Sequence, residues 1–70
     1  MEKRHYFAVH WNTGNRSYAR DFDDAKKAIK KAREIERKNG SSYPRVYEIT
    51  SYDDEKGVRH VHLHGSVNYM

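Results

Sequence analysis

The chain has 70 residues, a formal net charge of +4 and no cysteine. That length holds one compact domain over residues 1–70, with no room for both a large core and a deep catalytic cleft. Disulfides and thiolate metal sites are excluded outright. No apolar stretch approaches the ~20 residues that a bilayer span requires. Glu2, Lys3, Arg4 and His5 interrupt the first ten residues, so no signal peptide is expected there and a cytoplasmic location is. Positive charge concentrates in the first twenty residues and in residues 21–40, while the last thirty are slightly acidic. A basic domain favours polyanionic partners.

The first predicted strand is His5 to Trp11, where aromatic and β-branched residues alternate with a period of two. Asn12-Thr13-Gly14-Asn15 is a turn, since Gly and Asn tolerate the positive φ of tight hairpins. Arg16 to Arg20 is the return strand. A helix follows, because Phe22, Ala25, Ala28, Ile29, Ala32 and Ile35 recur at three- and four-residue spacing. Asp23 is its expected N-cap, and Asn39-Gly40 its C-terminal stop. Its other face carries Lys26, Lys27, Lys30, Lys31, Arg33 and Arg37. A third strand runs from Tyr43 to Tyr52, opened by Pro44. Asp53 to Gly57 is a hairpin turn, and Val58 to His64 is the fourth strand. Gly65 to Met70 is expected to add a short tail strand. The fold class is therefore α+β: a four-stranded antiparallel sheet in strand–strand–helix–strand–strand order, with one helix packed on one face.

One helix covers only one face of such a sheet. Alternation assigns Phe7, Val9, Trp11, Tyr47, Ile49, Val61 and Leu63 to the covered face. It leaves Tyr6, Ala8, His10, Tyr18, Arg20, Val46, Glu48, Thr50, Tyr52, His60, His62 and His64 on the uncovered one. That composition, rich in rings with an added Arg, is typical of contact surfaces. The candidate binding residues are Tyr6, His10, Arg16, Tyr18, Arg20, Tyr52, His60, His62 and His64. A second copy of the chain covering the exposed face as a homodimer is one expectation. His60, His62 and His64 alternate, which brings neighbouring imidazoles ~6.6 Å apart on one face. Two imidazoles at that spacing need a third ligand, from His10 or Glu48, to hold a metal. No further ligand motif accompanies them, so neither metal nor cofactor is expected.

Tyr18-Ala19-Arg20-Asp21-Phe22-Asp23 runs from a strand straight into an Ala- and Lys-rich helix. In this step, and in its element order from His5 to His64, the chain resembles small phage-encoded anti-CRISPR inhibitors of the strand–strand–helix–strand–strand type. The resemblance implies a stoichiometric, non-enzymatic protein that docks on a CRISPR effector or a similar nucleic-acid-processing complex. It carries over no residue roles. The leading expectation is thus a protein-binding modulator acting through a basic and aromatic surface.

The alternative is a DNA- or RNA-binding module. Tyr6, Tyr18, Tyr52 and the His60–His64 row would stack on bases, while Lys3, Arg4, Arg16 and Arg20 would neutralise phosphates. The strand–strand–helix order also resembles three-stranded DNA-binding domains that lay a sheet in the major groove, but the third strand before the helix is missing. An enzyme is not expected. His10 and His62 are acid–base candidates in a ribonuclease-like reading, but there is no nucleophile motif, phosphate loop or carboxylate pair.

Overall fold

A computed structural model describes residues 2–38 and 42–69. The elements in chain order are β1 (Lys3–Thr13), β2 (Arg16–Phe22), α1 (Ala25–Lys38), β3 (Arg45–Asp53) and β4 (Arg59–Val67). All strand pairs are antiparallel, in the spatial order β2-β1-β3-β4. The α+β class and the element order match the expectation. Phe22 closes β2 opposite Phe7 rather than opening the helix. Asp24, not Asp23, caps α1: its carboxylate accepts the Lys26 amide at 2.9 Å, and its carbonyl accepts the Ala28 amide at 3.2 Å. The Asn39-Gly40 stop lies outside the described residues. β4 continues through Gly65 to Val67, so the expected tail strand is its last turn of pairing, and Met70 lies outside the described residues.

The core is small. Val9 and Val46 pair across β1 and β3 and are buried beneath Ala28, Ala32 and Ile35. Phe7, Trp11, Phe22, Val67 and Tyr69 pack around them. Ala28 and Ala32 are 0% exposed. With only methyl groups between helix and sheet at these positions, α1 seats directly on the two valines.

Residues paired across antiparallel strands share a face. Phe7 is opposite Phe22 and Glu48, Val9 is opposite Arg20 and Val46, and Trp11 is opposite Tyr18. The helix side therefore carries Tyr18 and Arg20, and on β3 it carries Val46, Glu48, Thr50 and Tyr52. This corrects the face assignment made from alternation. Tyr47, Ile49, Val61 and Leu63, expected under the helix, lie on the open face instead. β3 carries apolar residues at both parities, and the more apolar pair, Tyr47 with Ile49, is not the one the helix covers. The pairing of Val46 with Val9 sets the faces.

A β-bulge interrupts β4. Leu63 pairs with Ile49 and Gly65 with Glu48, which leaves His64 as an extra residue. Gly65 has φ of 144°, a conformation that side chains rarely adopt. The extra residue reverses the parity of the strand end, so Val67 falls opposite Val46 on the helix side. Tyr69 follows it into the core margin. Its hydroxyl proton is shared between Glu36 Oε1 at 2.6 Å and the Pro44 carbonyl at 2.9 Å. Arg33 donates to the Tyr69 carbonyl at 2.9 Å.

Burial, and then the Glu36 carboxylate, push the Tyr69 hydroxyl up to about 12. A raised folded pKa gives stability that is complete below the unfolded value of about 10 and is lost as pH rises through the folded one. The expected result is a melting temperature that falls between about pH 10 and 12. Tyr69→Phe should start lower and fall less steeply over that window. Parallel slopes in the two proteins would refute the assignment.

Candidate functional site

The site follows from a mismatch of lengths. α1 has 14 residues, about 21 Å at 1.5 Å per residue, while the molecule extends 43 Å along its longest axis. β2 ends where Phe22 meets Phe7, and α1 starts three residues later. The helix packs on β1, β2 and β3, and of β4 only the end at Val67 reaches the core beneath it. Beyond Phe7, the first residues of β1, the second half of β3 and the first half of β4 continue as a three-stranded arm. The arm has neither α1 nor β2 beside it.

The helix side of this arm is a field of rings. Thr50 pairs with His5 and His62, and Tyr52 pairs with Lys3 and His60. Tyr52 and His60 stack with centroids 4.8 Å apart and planes 12° from parallel. His62 and His64 meet edge to face at 4.6 Å, and His64 approaches His5 at 6.0 Å. His64 Nε2 lies 2.7 Å from Thr50 Oγ1. The bulge brings the extra residue His64 beside its neighbours on this face.

Two of the imidazoles are held by acids. His5 Nε2 is 2.7 Å from Glu48 Oε2, and His60 Nε2 is 2.9 Å from Asp54 Oδ2. Asp54 also organises the β3–β4 turn, where its Oδ1 accepts the Lys56 and Val58 amides at 2.9 Å each. The His60 hydrogen bond, followed by the Val58 amide, holds the Asp54 carboxyl below the usual carboxylate range. Among the described residues, no group of three or more His, Asp or Glu side chains is placed to hold a metal ion.

A second ring pair stands at the other end of the same side. Trp11 and Tyr18 stack at 5.5 Å, 15° from parallel, with Tyr18 40% exposed. Arg20 lies 5.4 Å from the Phe22 ring centroid. Arg16, paired with Thr13, is on this side too. Lys26, Lys30, Arg33 and Arg37 form a cationic surface of α1, the helix that packs on this side over β1, β2 and β3.

Seven of the nine candidate residues thus share the helix side: Arg16, Tyr18, Arg20, Tyr52, His60, His62 and His64. The expectation that they occupy the sheet face away from the helix is corrected. Tyr52, His60, His62 and His64 stand clear because the helix is short, while Arg16, Tyr18 and Arg20 stand on β2, an edge strand of the sheet. Tyr6 and His10 lie on the open face, apart from the other seven. His10 meets Tyr47 edge to face at 5.1 Å, and Arg4 covers the Tyr6 ring at 4.6 Å.

Sequence reasoning left out Trp11 from the candidates, along with His5, whose parity with Phe7 was available as a signal, and it named Lys3 only as a phosphate contact in the nucleic-acid alternative. It also left out Tyr43, which is largely exposed at φ 47° immediately before Pro44. No helix among the described residues is long and apolar enough to cross a membrane. No protein-family model matches the chain, and no curated protein or solved structure matches it either.

Proposed function

We propose that the chain is a non-catalytic, nucleic-acid-binding module that engages single strands with its helix side. The observation that carries this reading is the sharing of one side by two partly exposed, pre-stacked ring pairs and a cationic helix. Flat rings accept any base by stacking, and flanking Lys and Arg neutralise the backbone between them. The arrangement suits single strands because their bases are free to splay onto rings. A cytoplasmic location accords with such a ligand.

A second reading is a modulator that docks on a larger nucleic-acid-processing complex, in the manner of an anti-CRISPR inhibitor. The same cationic, ring-bearing side suits an acidic protein groove. Charge limits this reading: a basic face is repelled by the cationic channel in which such complexes hold their nucleic acid, so the docking surface would be an acidic one.

Fluorescence anisotropy with labelled single- and double-stranded oligonucleotides, at low and near-physiological salt, tests the first reading. Binding that survives about 150 mM salt and favours the single strand is the expected result. Arg20→Ala should reduce the slope of log K against log salt by roughly one unit. Tyr52→Ala should weaken binding by about 1–3 kcal/mol, the worth of one stacked base. Absence of binding, or an unchanged slope together with unchanged affinity, would reject nucleic acid and favour the acidic protein partner.

A further inference from the structure

The arm carries a groove on its helix side. It holds about 560 Å³, and its polar walls are Lys3, Thr50, Tyr52, His60, His62 and His64. Room of that size takes a nucleotide unit and falls within the usual range of small-ligand clefts. The charges around it are unequally matched. Glu48 on β3 and Asp54 in the β3–β4 turn are the carboxylates beside it. Each is already engaged by an imidazole, Glu48 by His5 at 2.7 Å and Asp54 by His60 at 2.9 Å. Lys3 on β1 and His62 on β4 have no carboxylate within ion-pair distance among the described residues. His64 meets His62 edge to face at 4.6 Å, and its Nε2 bonds the Thr50 hydroxyl rather than an acid. Glu2, Arg4, Asp53 and Arg59 gather beside one another outside the groove. The groove thus has one ammonium, two imidazoles without an acid partner, and no carboxylate among its walls.

We infer that this groove seats a phosphate group, with Lys3 and the imidazolium forms of His62 and His64 holding its oxygens and the Tyr52–His60 stack carrying the adjoining base. The inference deepens the nucleic-acid reading: it rests on that reading for the strand, but not for the phosphate itself. Hydrogen bonds from charged nitrogen donors to phosphate oxygen are among the strong ones. Stacked rings accept any base. Imidazole is the side chain that changes charge near neutrality, so seating a phosphate favours the protonated rings and binding takes up protons. Affinity then rises as pH falls. Lysine and arginine do not supply such a dependence, since they stay charged through this range.

Fluorescence anisotropy at constant salt tests it, using a thymidine oligonucleotide with a pH-insensitive dye. Neither the bases nor the backbone of that strand titrates near neutrality. Affinity about tenfold higher at about pH 6 than at about pH 8 is the expected result, as uptake of roughly one proton requires. His62→Gln combined with His64→Gln should abolish most of that difference, while His10→Gln, on the open face, should keep it. A flat profile, or one that the double variant preserves, overturns the inference and leaves strand binding in place. Should the double variant unfold, the ring C–H resonances of the unaltered chain decide. The oligonucleotide should shift those of His62 and His64, and shifts that spare both overturn the inference. If the oligonucleotide binds at neither pH, the nucleic-acid reading fails by itself, and inorganic phosphate reads the groove at the lower pH. Shifts of both rings beyond those caused by chloride at equal ionic strength keep the groove as a site for free phosphate, and their absence overturns it.

Discussion

Deleting His64 should destabilise the protein far more than replacing it with alanine. The alanine variant keeps the extra residue. It loses the hydrogen bond to Thr50 and ring contacts at an exposed site, a cost of about 1 kcal/mol. The deletion removes the bulge, and a one-residue shift turns every side chain beyond it to the other face. Two responses are open to the strand. Val67 and Tyr69 leave the core for the open face, or His60 and His62 change places with Val61 and Leu63 along the arm. Val67 and Tyr69 are partly buried, so withdrawing them costs less than two fully buried side chains would, on the order of 2–3 kcal/mol. The whole stability of a domain this size is about 3.5–10 kcal/mol. Urea denaturation of the two variants is the check. Equal midpoints would mean that the bulge does not set which residues reach the core.

Ala32→Leu is expected to have the second-largest effect. Ala32 is 0% exposed and lies with Ala28 against the Val9–Val46 pair. Three added carbon atoms have no space there, so the helix must lift or the side chain must leave its rotamer. Overpacking of this kind costs about 1–3 kcal/mol. For a domain of this length that lowers the melting temperature by roughly 4–8 °C per kcal/mol. Ile29→Leu, at a position only partly buried, serves as the control and should change little. An undiminished melting temperature for Ala32→Leu would show that α1 does not sit as closely as described.

The elements were legible because each had a local cause. Asn12-Thr13-Gly14-Asn15 marked a turn, which the structure narrows to Gly14 and Asn15, and the spacing of Ala28, Ala32 and Ile35 marked a helix. The faces were harder to read, for two separate physical reasons. For β2 the information was present: a two-residue turn between Thr13 and Arg16 obliges Tyr18 to oppose Trp11 and Arg20 to oppose Val9. For β3 the pattern pointed the wrong way, because Glu48 and Thr50 interrupt the parity of Val46 while Tyr47 and Ile49 make the other look like the covered one. Which set reaches the helix depends on a partner strand more than thirty residues away in the chain. The β4 bulge had one local trace, Gly65 after the alternating histidines, and a glycine alone does not specify a bulge. The candidate site was legible as a set of residue types. Its position was not, because helix length relative to strand length decides which part of the sheet stays bare.

The strand order also shapes how the chain reaches this state. The β1–β2 and β3–β4 hairpins join near neighbours, each across a short turn, and α1 forms from its own residues. The seam between β1 and β3, at the centre of the sheet, instead joins partners such as Lys3 and Tyr52, and such non-local pairings form slowly because loop closure comes before any contact energy. During synthesis the first hairpin and the helix emerge before β3 exists. For that interval β1 offers an open edge bordered by Phe7, Val9 and Trp11. The basic character of the N-terminal half then serves a nascent chain, since like charge keeps two such half-made sheets from joining each other.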